Sequence, residues 1–88
     1  MEFIWDSGFK RSFRKKIYFN KVLLTKFKEK INLFTHNPFD PQLKTHKLSG
    51  TLKDCWAFTL DYETRVIFKF LGTDKVLLID VGTHEEVY

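Results

Sequence analysis

Residues 56–81 read WAFTLDYETRVIFKFLGTDKVLLIDV, and the pattern of this segment indicates the class of the fold. Three apolar runs, at residues 56–60, 65–71 and 75–81, are separated by short polar connections at 61–64 and 72–74. Bulky and small side chains alternate in the first run, and few polar residues interrupt the other two, which is typical of β-strands. Connections this short join neighbouring antiparallel strands. The stretch therefore predicts a three-stranded antiparallel meander.

The middle run has two different faces, because successive side chains of a strand point to opposite sides. One face is apolar and the other is partly cationic: Val66, Phe68 and Phe70 lie on the first, and Arg65, Ile67 and Lys69 on the second. The apolar face suits a covering layer of helices. We therefore expect the sheet to be covered on one side and open, with a basic surface, on the other.

The residues before the meander predict one short strand and two helices. Residues 3–5 are apolar, and Asp6 starts a turn that can cap a helix beginning near residue 9. Apolar residues then recur at helical spacing in two segments: Phe9, Phe13 and Ile17, followed by Leu23, Phe27, Ile31 and Phe34. Asn20 can cap the second helix, and Pro38 ends it because proline cannot continue the helical hydrogen bonds. Residues 39–54 are more polar and predict a loop.

These elements predict an α+β fold in one domain that spans residues 1–88. Two N-terminal helices form a hairpin packed on one face of a four-stranded, mainly antiparallel sheet. No apolar run reaches the roughly 20 residues of a membrane helix, and the first residues lack the pattern of a secretion signal. We therefore expect a cytoplasmic protein, and the lone Cys55 fits a reducing compartment.

The chain is basic, with a formal net charge of +4, and its cations are unevenly distributed. Nine of the 15 Lys and Arg residues fall between positions 10 and 30. Such a cluster favours a polyanion or an acidic protein as partner. The alternative is a pair of solvated helix faces, which is the commoner role of charge runs.

A set of residues suited to metal-free RNA cleavage is also present. That reaction needs a group that takes a proton from the 2′-hydroxyl, a group that protonates the departing 5′-oxygen, and cations that hold the phosphate. His46, Arg65 and His84 provide these groups. In the predicted meander, Arg65 begins the second strand and His84 follows the third, so both lie at one edge. His46 precedes the first strand and is expected to reach that edge through its long loop.

Further residues near these positions have two interpretations. Tyr88 can stack on a base or orient the phosphate, or it can anchor the last residues on the core. Lys44 and Lys47 in the loop, and Lys69 on the face of Arg65, can bind phosphate or can simply be solvated. The guanidinium of Arg65 can hold a phosphate with two donors or pair with an acidic residue of the adjoining turn. The histidines lack the paired spacing of zinc motifs, so we expect no metal and no cofactor.

Four segments carry a distinctive order and spacing: KTHKLSG at 44–50, WAF at 56–58, YETRVIF at 62–68 and DVGTHEEVY at 80–88. Together they resemble the RelE/ParE superfamily of bacterial type II toxins, in particular the mRNA interferases of the RelE, YoeB and YafQ groups. The resemblance spans nearly the whole chain. It implies a microbial-RNase-like fold and ribosome-dependent cleavage of mRNA in the A site, through the message's own 2′-hydroxyl and with a cyclic phosphate as product.

The resemblance also implies roles for individual residues. His46 resembles the acid/base residue of a His-Pro-Leu-like loop, with Lys47 where proline is frequent. Arg65 is similar to the phosphate-binding arginine of the RelE and YoeB groups. His84 and Tyr88 resemble the terminal histidine and aromatic residue of the YafQ group.

The chain departs from the YafQ pattern at two places. Thr59 stands where that group carries a further histidine, and Glu63-Thr64 stands where it carries an Asp-Trp pair. The departure implies fewer groups for proton transfer and assigns one such role to Glu63.

The resemblance implies two kinds of partner, the ribosome with its mRNA and a cognate antitoxin that can assemble with the toxin into a heterotetramer. The first helix would contact ribosomal RNA through its cations, which are Lys10, Arg11, Arg14 and Lys15. Two other interpretations stay open. One is a ParE-like inhibitor of gyrase, and the other is an inactive relative that only binds its antitoxin.

Overall fold

The computed structural model describes residues 1–88 and contains five strands and three α-helices. In chain order these are β1 (Glu2–Trp5), α1 (Ser7–Lys16), α2 (Lys21–His36), β2 (His46–Lys47), β3 (Trp56–Thr59), β4 (Thr64–Phe70), β5 (Lys75–Thr83) and α3 (His84–Val87). Two short 3₁₀ helices, Pro41–Leu43 and Gly50–Leu52, flank β2. The strands form one sheet in the order β1-β5-β4-β3-β2.

The sheet has five strands instead of the predicted four, and it is mainly antiparallel as predicted. The meander of β3, β4 and β5 is antiparallel as predicted, but β1 pairs with β5 in parallel, so the sheet is mixed. The fifth strand is β2, which lies in the segment predicted to be a loop and pairs antiparallel with β3. Two residues are too few to show an alternating pattern, and therefore periodicity could not reveal this strand.

The two N-terminal helices begin and end at the predicted residues, to within about two positions. Asp6 caps α1 by accepting a hydrogen bond from the Gly8 amide at 3.0 Å. Asn20 caps α2 in the same way, by accepting from the Leu23 amide at 3.0 Å. α2 ends at His36, ahead of the proline.

The core lies between these helices and the apolar face of the sheet. It consists of 12 buried residues, and the largest side chains are aromatic. Phe34 of α2 is fully buried and packs against Phe58 and Phe68, with ring centroids 5.4 and 5.0 Å away. The predicted apolar stripes therefore face the sheet, and the helices cover one of its sides.

The opposite face of the sheet is only partly open, which corrects the prediction of a fully open basic face. Ile67 points to that face, yet only 1% of it is exposed. Ala57, its partner on β3, is fully buried as well. α3 lies against β4 and β5 and covers part of the sheet. The residues after β5, to which the sequence analysis assigned no element, form a short helix that folds back on the sheet. No helix in the structure combines the length and the apolar character needed to cross a bilayer.

Candidate functional site

His46 is brought to the sheet by the strand that the sequence did not reveal. β2 folds back on β3, and His46 pairs with Ala57. Ala57 lies two residues before Thr59, which is the partner of Arg65 on β4. Paired residues, and residues two apart on a strand, share a face of the sheet. His46 and Arg65 therefore lie on the same face, and His46 does not have to reach across a long loop.

His84 and Tyr88 owe their positions to α3. Thr83 caps this helix in a reciprocal capping box, in which the Glu86 amide donates to the Thr83 hydroxyl at 3.3 Å and the Thr83 amide donates to the Glu86 carboxylate at 2.8 Å. Residues four apart on a helix lie one above the other. The rings of His84 and Tyr88 are accordingly in edge-to-face contact, with centroids 4.3 Å apart.

Tyr88 joins the two histidines. Its hydroxyl lies 3.2 Å from Nε2 of His46. The other ring nitrogen of His46, Nδ1, lies 3.0 Å from the Lys44 carbonyl, which can only accept. In the neutral imidazole Nδ1 therefore carries the proton, and Nε2 accepts from the Tyr88 hydroxyl. Partial burial raises the pKa of the Tyr88 phenol, while the charge of Arg65 acts in the opposite direction, so the phenol keeps its proton at neutral pH.

Arg65 is held by the β3–β4 turn. Its Nη1 donates to the carbonyl oxygens of Asp61, Tyr62 and Thr64 at 2.9, 3.0 and 3.3 Å. The turn itself is fixed by the Asp61 carboxylate, which accepts from the amides of Glu63 at 3.0 Å and Thr64 at 2.7 Å. Burial acts to raise the pKa of Asp61, but the hydrogen bonds from Thr64 and Glu63 outweigh it and lower that pKa.

This arrangement leaves part of the guanidinium available to a ligand. Nε and Nη2 of Arg65 make no hydrogen bond within the protein, and the alternative role considered for Arg65, an ion pair with Asp61 or Glu63, is not found. Two neighbouring donors in one plane match two oxygens of a phosphate.

Two open clefts lie beside these side chains. The first has a volume of about 500 Å³ and is lined by Arg65 and His84 together with Tyr62, Glu63, Thr83 and Glu85. The second has a volume of about 340 Å³, and its lining includes His46, Lys47 and Tyr88. Because the Tyr88 ring lines the second cleft and contacts His84 of the first, the two clefts are neighbours. Either is large enough for one nucleotide unit.

The other predicted site residues do not line either cleft. Lys44 is exposed and has a left-handed backbone, with φ of 51°, which directs its carbonyl to His46. Lys69 lies four residues beyond Arg65 on β4, roughly 13 Å along the strand, and is not brought to the clefts. The predicted RNA-contacting cations of α1 are all exposed: Lys10, Arg11, Arg14 and Lys15. The three histidines and the lone cysteine form no group that could hold a metal ion.

Sequence reasoning missed the residues that support the site. The capping box of α3 has a sequence signature, Thr83-x-x-Glu86, that could have predicted the helix. The hydrogen bonds of Asp61 follow the common pattern of an acidic residue at the start of a turn. Nothing in the sequence indicated that Lys16 of α1 forms an ion pair with Glu86.

Comparisons with known proteins bear on the fold. No protein-family model and no curated protein sequence matches the chain. Among solved structures, the YoeB/ParE toxin from Agrobacterium tumefaciens superposes with a TM-score of 0.81 at 18% identity, over 96% of this chain and 99% of that one. YafQ from E. coli strain BL21(DE3) gives a TM-score of 0.78 at 18% identity, over 99% and 97% of the two chains.

A third similar structure comes from a heterotetrameric YoeB–YefM toxin–antitoxin complex of Staphylococcus aureus. Its TM-score is 0.78 at 13% identity, and 96% of this chain and 97% of that one are covered. At such low identities the likeness concerns the backbone alone, but it covers nearly the full length of all three chains. The chain therefore has the fold of the YoeB and YafQ toxins.

Proposed function

We propose that this protein is the toxin of a type II toxin–antitoxin system and acts as an endoribonuclease on mRNA in the ribosomal A site. The shared fold supports the first part of this proposal. The second part rests on one observation, the contact of Tyr88 with both His46 and His84 beside the available face of Arg65. The proposed target lies in the cytoplasm.

The reaction that fits these groups is an internal transesterification. Nε2 of His46 accepts the proton of the 2′-hydroxyl, and the resulting oxyanion attacks the adjacent phosphorus. The bond from phosphorus to the 5′-oxygen breaks, and the imidazolium of His84 gives its proton to that oxygen. The products are a 2′,3′-cyclic phosphate and a free 5′-hydroxyl. Only RNA carries the hydroxyl that this reaction needs.

The other residues stabilise charge and orient the phosphate. Nε and Nη2 of Arg65 bind the non-bridging oxygens as negative charge increases in the transition state. The Tyr88 hydroxyl, protonated at neutral pH, donates either to His46 or to the phosphate. Glu63 lines the same cleft as Arg65 and His84, and we assign to its carboxylate a supporting role in proton transfer.

The lysines extend the cationic surface around the clefts. Lys47 lies at the second cleft and Lys44 beside it, where both can contact the RNA backbone. Lys69 can do so only outside the clefts. The exposed cations of α1, Lys10, Arg11, Arg14 and Lys15, are proposed to contact ribosomal RNA, and such contacts weaken as salt concentration rises.

We propose a cognate antitoxin as the second partner, in an assembly of the kind seen in the S. aureus YoeB–YefM heterotetramer. An antitoxin with an acidic segment would complement the net charge of +4.

The test uses purified ribosomes programmed with a defined mRNA, and primer extension maps the cut ends. His84→Ala and Arg65→Ala should each lower the cleavage rate by about 100-fold or more, since each removes a group that acts in the transition state. His36→Ala is the matched control, because His36 is an exposed histidine of α2 outside the site. Undiminished cleavage by either variant would refute its assignment.

A parallel experiment in expressing cells separates the alternative functions. Intact mRNA together with broken DNA in expressing cells would indicate a ParE-like gyrase inhibitor. Intact mRNA and intact DNA, with tight binding of an antitoxin, would indicate an inactive relative.

A further inference from the structure

The carboxylate of Glu86 connects three parts of the molecule. It forms an ion pair with the ammonium group of Lys16, at the end of α1. One of its oxygens also accepts from the Thr83 amide at 2.8 Å, where β5 ends and α3 begins. Half of the Glu86 side chain and three quarters of the Lys16 side chain are shielded from solvent. A single side chain thus links α1, β5 and α3.

The absence of a side chain at Gly82 makes this arrangement possible. A β-carbon at that position would lie 3.1 Å from Oε1 of Glu86, 3.2 Å from Nζ of Lys16 and 3.2 Å from Cγ1 of Val87. All three distances are shorter than ordinary contacts. Gly82 is itself buried and pairs with Arg65 across the sheet. The ion pair therefore lies directly over the backbone beside the phosphate-binding arginine.

The charges around Glu86 favour its ionised form. Lys15 and Lys16 of α1 line the same cleft, and Glu63 of the β3–β4 turn is the other acidic group there. The hydrogen bond from Lys16, followed by those from Thr83, lowers the pKa of Glu86 to about 2. Glu86 is therefore ionised at neutral pH.

α3 depends on such contacts because it is too short to be stable alone. It contains four residues, whereas isolated helices below roughly 12 residues are marginal in water. His84 is its first residue, and Tyr88 follows its last. Any loosening of α3 therefore displaces both rings together, away from His46 and Arg65.

We propose that Lys16 and Glu86 are positioning residues, which hold α3 so that His84 and Tyr88 are aligned with His46 and Arg65. This inference rests on the proposed nuclease function for its catalytic consequence, but not for its structural one. Neither residue touches the RNA in this scheme. Lys16, which lies among the cations of α1, has this internal role and is not a contact to ribosomal RNA.

The experiment compares Lys16→Met, Glu86→Gln and the double variant with the wild-type protein. Met keeps the apolar stem of Lys16, and Gln keeps the acceptor for the Thr83 amide, so each substitution removes the ion pair and leaves the neighbouring contacts in place. Each should lower kcat by about 10- to 100-fold, with KM unchanged, because the reacting groups are displaced while RNA binding is not. The double variant should be no worse than either single one.

Two variants serve as controls. Lys16→Arg keeps the ion pair and should retain wild-type kcat. Glu29→Gln removes a carboxylate of α2 that forms no ion pair, and it should leave kcat unchanged. Urea denaturation establishes that each variant is folded.

A second measurement does not depend on catalysis. In NMR spectra, the contacts between protons of the His84 and Tyr88 rings, and between those of Tyr88 and His46, should weaken in Lys16→Met and Glu86→Gln. Retained ring contacts together with wild-type kcat would overturn the positioning role. A wild-type protein that cuts no RNA would overturn the proposed function, and the ring contacts would then decide the role of the ion pair alone.

Discussion

Replacing Gly82 with alanine adds one methyl group at the most crowded point behind the candidate site. The new β-carbon would lie 3.1–3.2 Å from Glu86, Lys16 and Val87, so these neighbours must retreat by roughly half an ångström to reach unstrained separations of ~3.5–4.0 Å. The nearest atoms all belong to side chains, and side chains can move. We therefore expect a loss in free energy of unfolding of only about 1 kcal/mol, at the lower end for overpacked sites.

The effect on cleavage should be larger than the effect on stability. Two of the three displaced groups form the ion pair that holds α3, and the third belongs to α3 itself. A shift of about 1 Å in reacting groups can cost 100-fold in rate, so a shift of half that size should cost about 10-fold. Cleavage of ribosome-bound mRNA under single-turnover conditions measures this rate, and urea denaturation measures the stability.

Gly8→Ala is the matched control for this prediction. A β-carbon at Gly8 would also be crowded, 3.2 Å from Oδ2 of Asp6, but Gly8 lies in the first turn of α1, about 12 Å along the helix axis from Lys16. Gly8→Ala should therefore alter the free energy of unfolding without altering the cleavage rate. Equal cleavage by Gly82→Ala and the wild type, or an equal loss in both glycine variants, would refute the link between α3 and the site.

Three further predictions concern the support of the site and the core. The pKa of Glu86 is lowered from 4.5 to about 2, so the stabilising contribution of its carboxylate is present above pH 4.5 and should be lost as the pH falls towards 2. NMR should show the His84–Tyr88 ring contact weakening over that pH range in the wild-type protein. Glu86→Gln, which has no carboxylate to protonate, should show no such pH dependence. Asp61→Ala removes the acceptor of two turn amides, so it should lower the free energy of unfolding, measured by urea denaturation, by about 1–2 kcal/mol. It should also lower the cleavage rate, because the turn that holds the Arg65 guanidinium is loosened. An unchanged cleavage rate would show that the turn does not hold the guanidinium. Phe34→Ala should lower the free energy of unfolding by about 3–5 kcal/mol, since the residue is fully buried among aromatic rings; a loss below 1 kcal/mol would contradict the central place of Phe34 in the core.

The elements with strong local patterns were predictable. The apolar spacing that contains Phe27 and Phe34 indicated α2, and both residues are buried against the sheet. Asp6 and Asn20 indicated the helix starts because their side chains can accept from free amides, and both do so. The alternation of side chains around Val66 predicted which face of β4 is covered, and Val66 is fully buried.

The elements without a repeating pattern were not predictable in this way. β2 has two residues, and its pairing with β3 depends on the shape of the whole loop before it. The parallel pairing of β1 with β5 joins residues more than 70 positions apart, at Glu2 and Lys75, and no local signal encodes such a contact. The burial of Ile67 was likewise not indicated by the pattern of its own strand.

The chemical groups of the site and the covered face of the sheet could be inferred from the sequence, because side-chain identity and short-range periodicity depend only on neighbouring residues. The sequence supplied two imidazoles, a guanidinium and a phenol, and it predicted that Arg65 and His84 would lie at one edge. Tertiary structure alone decided that Tyr88 bridges His46 and His84, and that Lys16 holds Glu86. The contacts of Tyr88 with His46 and of Lys16 with Glu86 join residues 42 and 70 positions apart, and their free energy exists only after the sheet has brought the segments together.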